Sequence, residues 1–271
     1  MEGMRLENAG AYFSYFMMGL KTTFAYKADV VLSLLFRIAT SIILVLVWSA
    51  VYLNTNTSNI GGFTLPLMYS YFFVYRAVSV IVDVDVSETM QNDIQSGRIA
   101  VSMIRPTDYV KQVISDTLGS VVVWSMMFSI PLLLIINVFV GMNLSASTIF
   151  TFAIELVLGM IIYALINFII GIFAIYLTNI WGMINLVHSV ISILAGALMP
   201  INLFPEPFRS MLMLLPFQML GYTPAATLLG TVSTSYIIDS IEISILWIAI
   251  LAVIAVLWWR RSFRKITSVG G

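Results

Sequence analysis

Apolar residues fill this chain in long runs, separated at uneven intervals by short polar stretches. Six runs reach or approach the roughly 20 residues needed to cross a hydrocarbon core. They lie at about 29–53, 63–84, 113–141, 148–178, 183–202 and 236–259. Two connectors, NTNTSNIGG and GMNLSAS, carry no charge, and the fourth and fifth runs are joined only by TNIWG, residues 178–182. The pattern predicts an all-α integral membrane protein with six transmembrane helices. An N-terminal helix over 1–28 precedes this single six-span domain, residues 29–271.

Composition sharpens that expectation. Hydrophobic residues make up 60% of the chain and charged residues 10%, against roughly 25% charged in soluble domains. Such a chain cannot cover its own surface in water. Cysteine is absent, which excludes disulfides, thiolate metal sites and cysteine nucleophiles. His188 is the one histidine, too few for a histidine metal centre within one chain. The opening residues MEGMRLEN are polar and do not read as a cleavable signal peptide. Net charge is zero, and no nucleic-acid partner is expected.

The distribution of lysine and arginine sets the orientation. With the N-terminus inside, Arg5, Lys21, Lys27, Arg98, Arg105, Lys111, Arg260, Arg261, Arg264 and Lys265 all fall in the cytoplasm, and the outer loops keep only Arg209. Both termini are therefore expected on the cytoplasmic side of the cell membrane. Two sequons, at Asn56 and Asn143, then lie outside, although such triplets arise often by chance. Before the first span, Phe13, Phe16, Met17, Leu20 and Phe24 recur at helical spacing, while Lys21 and Thr22 fall elsewhere on the wheel. The stretch reads as an interfacial amphipathic helix lying on the inner leaflet. The alternative is a first span that begins early.

One segment is far more polar than its surroundings. From Asp83 to Gly97 the chain reads DVDVSETMQNDIQSG, with Val86, Met90 and Ile94 four apart on one helical stripe and Glu88 and Asp93 on the remainder. Gly97 suits a helix stop. Arg98 follows, then Ile99, Val101 and Met103 in alternation, then Arg105 and Pro106. The expectation is a short amphipathic helix, a sharp turn and a stiff entry into the third span. A plain connector needs only a handful of residues. An ordered amphipathic helix held between two spans is suited to docking a soluble partner.

The order of these features resembles the membrane subunits of ATP-binding-cassette transporters of the type-2 exporter class. The residues that carry the resemblance are Ile94, Gly97, Arg98, Met103, Ile104, Arg105 and Pro106 in the inner loop, and the Pro-rich stretch LMPINLFPEPFRSMLMLLPFQMLGYTPAATLLG, residues 198–230. The resemblance implies that loop 85–112 holds a cytoplasmic coupling helix between spans 2 and 3 which seats on the ATPase. Glu88, Met90, Ile94, Gly97, Arg98, Arg105 and Pro106 would be the ATPase-coupling residues, and TNIWG a smaller second inner contact. It further implies a separate ABC ATPase subunit carrying ATP-Mg, and a second permease chain, identical or paralogous. Short outer re-entrant helices are implied between spans 5 and 6, residues 200–235. In function, the resemblance implies a permease subunit that forms half of the pathway of an ATP-driven exporter.

Five of the eight prolines lie between Pro200 and Pro224. Proline breaks helices, and FRSMLMLLPFQML is too short to cross and return yet too oily for an ordinary loop. It reads either as half-helices packed against protein in the outer leaflet or as a partly buried surface helix. Pro205, Pro216, Phe217 and Pro224 are the candidate outer gate. Arg37 and Arg76 sit at similar depth, roughly 12 Å into the core at about 1.5 Å per residue. They either line an inner vestibule, with Tyr75 beside them, or snorkel to the headgroups. Asp116 marks the inner end of the third span, His188 reads as a hydrogen-bonded packing residue, and Glu155 and Glu242 could face the outer interface.

No cofactor or metal is expected on this chain. None of its four lysines follows a glycine, so the phosphate-binding loop of an ATPase is missing and the chain is not expected to be an enzyme. The alternative function is an ion-coupled secondary transporter, which calls for midplane acids and often an inverted repeat. Neither is evident in the sequence.

Overall fold

A computed structural model describes residues 2–25, 27–55, 57–105, 107–142 and 144–269. Helix α1 (Glu2–Ala25) leads into α2 (Lys27–Thr55), and a two-stranded hairpin, β1 (Asn59–Ile60) with β2 (Phe63–Thr64), opens α3 (Leu65–Ile81). The hairpin turns on Gly61 and Gly62, both at positive φ, as a two-residue turn demands. Two short helices come after it, α4 (Ser87–Gln95) and α5 (Arg98–Ile104). Next come α6 (Tyr109–Trp124), a π-helical turn (Ser125–Ser129), α7 (Ile130–Val140) and α8 (Ala146–Ile172). The chain continues with α9 (Trp181–Leu194), α10 (Phe208–Leu214), α11 (Tyr222–Leu228) and the terminal α12 (Thr234–Val269).

Four helical stretches are long and apolar enough to cross a membrane: Val30–Thr55, Tyr109–Val140, Ala146–Ile175 and Thr234–Ser262. Helices α3 and α9 are apolar but shorter. The expected run 183–202 stops being helical at Leu194, because Gly196 takes a φ of +93° and its carbonyl accepts the Tyr71 hydroxyl at 2.8 Å. The π turn has a local cause too. Pro131, in the first turn of α7, has no N–H to give and its ring crowds the Met127 carbonyl, so the backbone widens by one residue just before it.

Helix α8 organises the bundle, packing against α12, α4 and α11. Around it Tyr71, Met68, Ile162, Met219, Ala225 and Ala226 form a fully buried core. Helix α1 packs along α6. A Cβ on Gly19 would overlap the Asp116 carbonyl, and one on Gly119 the Phe16 carbonyl, so only glycine allows these backbones to touch. Helix α2 is the opposite case: Leu35, Phe36, Leu46 and Leu53 are exposed, and only 11% of its most apolar stretch is buried.

Candidate functional site

The polar segment forms a clamped helix. Two residues before α4, the Asp85 carboxylate accepts hydrogen bonds from the Ser87 N–H at 2.9 Å and the Ser87 hydroxyl at 2.6 Å, which fixes the start of the helix. The apolar stripe faces the membrane body. Val86 and Met90 are fully buried and Ile94 is half-buried, and Met90 lies flat on Gly171 of α8, where a side chain would collide with its sulfur. The far side of α4 is left to solvent, with Glu88, Asn92, Gln95 and Ser96 exposed. Of the residues expected to couple to an ATPase, then, Glu88, Gly97, Arg98 and Arg105 are exposed, whereas Met90 and Ile94 seat the helix. Pro106 lies outside the described residues.

Gly97 ends α4 at φ +73° with open space beside it, so it is there for its conformation and not for close packing. The segment after Gly97 differs from the expected extended alternation. Arg98–Ile104 is helical, because Gly97 only turns the chain and its carbonyl then accepts the Ala100 N–H at 3.1 Å to start a new turn. Ile99 points into the core and Ile104 is 86% exposed. Arg98 pairs with Asp93 at 3.2 Å, and Asp93 also accepts the Tyr109 hydroxyl at 3.2 Å. Partial burial nonetheless holds the Asp93 carboxyl above the usual carboxylate range, the Arg98 charge opposing it less strongly. Arg105 donates to the Tyr15 hydroxyl at 2.7 Å, and the Asp108 N–H donates to the Tyr12 hydroxyl at 3.0 Å, tying α1 to the same region.

The segment TNIWG lies against α4. The Ile180 N–H donates to the Gln91 side-chain oxygen at 2.9 Å, and the Gln95 amide donates to the Thr178 carbonyl at 2.5 Å. Trp181 beside them is 65% exposed. Gln91 and Gln95 were not singled out from the sequence, although their spacing of four on one helix face was the available signal. His188 of α9 adds a further link, with Nε2 at 2.7 Å from Asn167 Oδ1 and 3.7 Å from Asp85. Helix α4 is therefore joined to α3 by the chain, to α8 by packing, and by hydrogen bonds to the TNIWG segment that leads into α9.

Above α4 lies a polar chamber of about 390 Å³ lined by Arg37, Asp83, Asp85, Glu88, Asp116 and His188, among others. Arg37 sits 3.9 Å from Asp83 and 5.4 Å from the Trp124 ring. Its charge is thus committed, and the four carboxylates around it outnumber it. Arg76 lines a different pocket of about 250 Å³, together with Thr40, Ser41, Tyr75, Ser79 and Ser192. It donates to Thr40 Oγ1 at 3.1 Å, and among the described residues no carboxylate pairs with it. The structure brings Arg76 and Tyr75 together in one pocket, while Arg37 lines the other.

At the other end, residues 201–228 fold into α10, α11 and two short 3-10 turns, Ile201–Leu203 and Pro216–Leu220. Pro216 and Pro224 are buried, Phe217 is half-buried and Pro205 is exposed. Every residue of α11 is buried. The backbone is satisfied within the protein: the Tyr222 N–H donates to the Ala195 carbonyl at 3.1 Å, and the Gln218 amide donates to the Met213 carbonyl at 2.6 Å. Glu155 corrects the expectation that it faces the outer interface. It is 0% exposed, with Oε1 accepting the Thr227 hydroxyl at 2.7 Å. The reason is that its helix, α8, is central, and α11 covers the face that carries Glu155. Glu242 of α12 is exposed.

The decisive comparison is with known families. The model of the family described as ABC-2 family transporter protein matches residues 13–270. The chain belongs to the ABC-2 transporter family. The match runs from the middle of α1 through the end of α12 and so takes in every later helix and both strands. No curated protein matches the chain. As an ABC-2 transporter it is a multi-pass membrane protein and a permease, the membrane component of a transport system. Among the described residues no cluster of histidine, aspartate and glutamate is arranged to hold a metal ion.

Proposed function

We propose that this ABC-2 protein is the permease subunit of an ATP-driven exporter and forms half of its translocation pathway. ATP-Mg is bound and hydrolysed on a separate ABC ATPase chain, and a second permease chain, identical or paralogous, completes the pathway. The observation that supports this best is α4: an amphipathic helix seated by Met90, pinned by Gln91 and Gln95, and presenting Glu88, Asn92 and Ser96 to solvent. A connector has no need of such fixation, whereas a lever does. Force applied there reaches α3 through the chain, α8 through packing, and α9 through the hydrogen-bonded TNIWG segment that leads into it.

In the same reading α3 and α9, extended by their flanking residues, complete a six-span layout with both termini in the cytoplasm. Helix α1 serves at the inner interface while it packs on α6. The exposed face of α2, with the Arg76, Tyr75, Thr40 and Ser192 pocket beside it, faces the second permease chain and the pathway. Residues 200–235, with Pro205, Pro216, Phe217 and Pro224, form the outer gate.

The test is purification of the tagged protein from its native membrane in mild detergent, with co-eluting chains identified by mass spectrometry. A stoichiometric ATPase, lost in Gly97→Leu and Arg105→Glu while the permease itself still inserts, is the expected result. A preparation with no ATPase, under conditions that keep known transporter complexes intact, would shift the reading to an ion-coupled secondary transporter.

A further inference from the structure

A groove of about 390 Å³ runs between α6, α8 and α12, away from the polar chamber and the Arg76 pocket. Its walls are hydrocarbon: Ile114 and Leu118 on α6, Ala164 and Phe168 on α8, Ala255 on α12. Alanines on both α8 and α12 create the space, since a larger side chain at either would fill it. One end carries Trp259 and Arg260. The Trp259 ring is held there by Tyr109, stacked at 5.9 Å, and by Phe168 at 5.4 Å.

The dimensions match one membrane leaflet. From Arg260 back to Ala252, the lining positions on α12 are eight steps apart along the helix, or about 12 Å at 1.5 Å per residue. Half of a hydrocarbon core is about 15 Å. The open end is marked by a tryptophan, a residue that prefers the headgroup level. Among the described residues Arg260 is the one charged side chain that lines the groove. Arg260 and Arg261 are exposed, no described carboxylate pairs with either, and Arg264 and Lys265 come within one further turn of sequence. Basic clusters just outside a span attract anionic headgroups.

We infer that this groove binds one anionic phospholipid, with an acyl chain between α6, α8 and α12 and its phosphate on Arg260. The inference goes beyond the proposed exporter function and does not depend on an ATPase partner. The occupant is a resident lipid that fixes α12 against α8 and is not cargo, because the groove shares no lining residue with the chamber.

The groove carries its own reporter. The full chain is reconstituted in phosphatidylcholine vesicles containing a minor fraction of dibrominated phosphatidylglycerol or, separately, the same fraction of dibrominated phosphatidylcholine. The part of the fluorescence due to Trp259 is obtained by difference from Trp259→Phe. The expected result is quenching of that part several-fold more strongly by the anionic lipid. The excess disappears in Arg260→Gln, which keeps the rest of the basic cluster, and in Ala164→Leu, which fills the groove without touching charge. Equal quenching by the two lipids overturns the inference. So does an excess that survives both substitutions, which would mark general enrichment of anionic lipid around the basic tail. Thermal melts of both variants accompany the quenching, and a variant that melts well below the wild type is replaced by Arg260→Lys, which should retain the excess.

Discussion

Helices α4 and α11 are both short, both lie between longer helices, and both pack on α8. They meet it at Gly171 and Glu155, sixteen positions and about 24 Å apart. Beyond that they differ in kind. Helix α4 buries Met90 and leaves a polar face to water, while α11 buries every residue it has. A helix with one face unused has room for a partner. A helix enclosed on all sides can only move together with its neighbours. This contrast, more than any single motif, separates the end of the protein suited to receiving force from the end suited to sealing a path.

Introducing charge on each helix is the most severe way to probe the contrast. Ala226→Asp on α11 places a carboxylate with no partner in a fully enclosed position. Several kcal/mol of desolvation should leave no folded protein on size-exclusion chromatography. Glu88→Lys on α4 reverses a charge on an exposed position and should leave elution and melting temperature unchanged. If both variants elute alike, the contrast between the two helices fails. Next in size is Met90→Ala, which removes the side chain that seats α4 on Gly171. Truncating a buried methionine costs about 2–5 kcal/mol, here concentrated on α4. The measurement is hydrogen exchange, with amides over 87–95 expected to lose protection before those of α8.

The two ends were also unequally legible in the sequence. Helix α4 could be read because its stripe of Val86, Met90 and Ile94 and the Gly97 stop are local signals, set by helical period and by one residue's conformational freedom. That the stripe faces the protein, leaving the solvent side to Glu88 and Asn92, is a tertiary fact with no local trace. The same holds for α11. The sequence YTPAATL is mildly apolar and carries no period that tells an enclosed helix from an outer loop. The prolines around it signalled a break, but not which element covered it. Glu155 was misplaced for a related reason: depth along a span can be counted in residues, whereas the side of the helix that α11 covers depends on a contact 72 residues away. Four of the long apolar runs were plain as helices able to cross a membrane, whereas α3 is shorter than its run and α9 ends early at Leu194, which depends on Gly196 meeting Tyr71.

The bond between Glu155 and Thr227 supplies the next test. Thr227→Val removes the one hydrogen bond Glu155 makes among the described residues and should destabilise the protein by about 1–2 kcal/mol, seen as a lower melting temperature in detergent. Replacing both partners with apolar residues of similar size removes the stranded carboxyl as well. Thr227→Val with Glu155→Met should therefore melt above Thr227→Val alone. Additive losses in the double variant would mean that Glu155 and Thr227 act independently, and that α11 is held by packing alone.

The smallest effect is expected on α4, at Asp93. Its pair with Arg98 is mostly in water on the arginine side, 66% exposed, and such pairs contribute at most about 1 kcal/mol. Burial outweighs it and raises the carboxyl above its ordinary range. A carboxyl raised in the folded state holds its proton more tightly there than in the unfolded chain. Folding stability from this group is therefore full in acid, below the ordinary carboxylate value, and is lost as the pH climbs through the raised one. Asp93→Asn has no proton to lose. The wild type should melt progressively lower relative to Asp93→Asn as pH rises through that window, with the gap constant above it. A gap of opposite sign, with the aspartate gaining on the asparagine as pH rises, would show that Arg98 and Tyr109 outweigh burial and that the outer side of α4 is fixed by charge. In that case α4 would resemble α11 more closely than its exposed face suggests, being held on both sides.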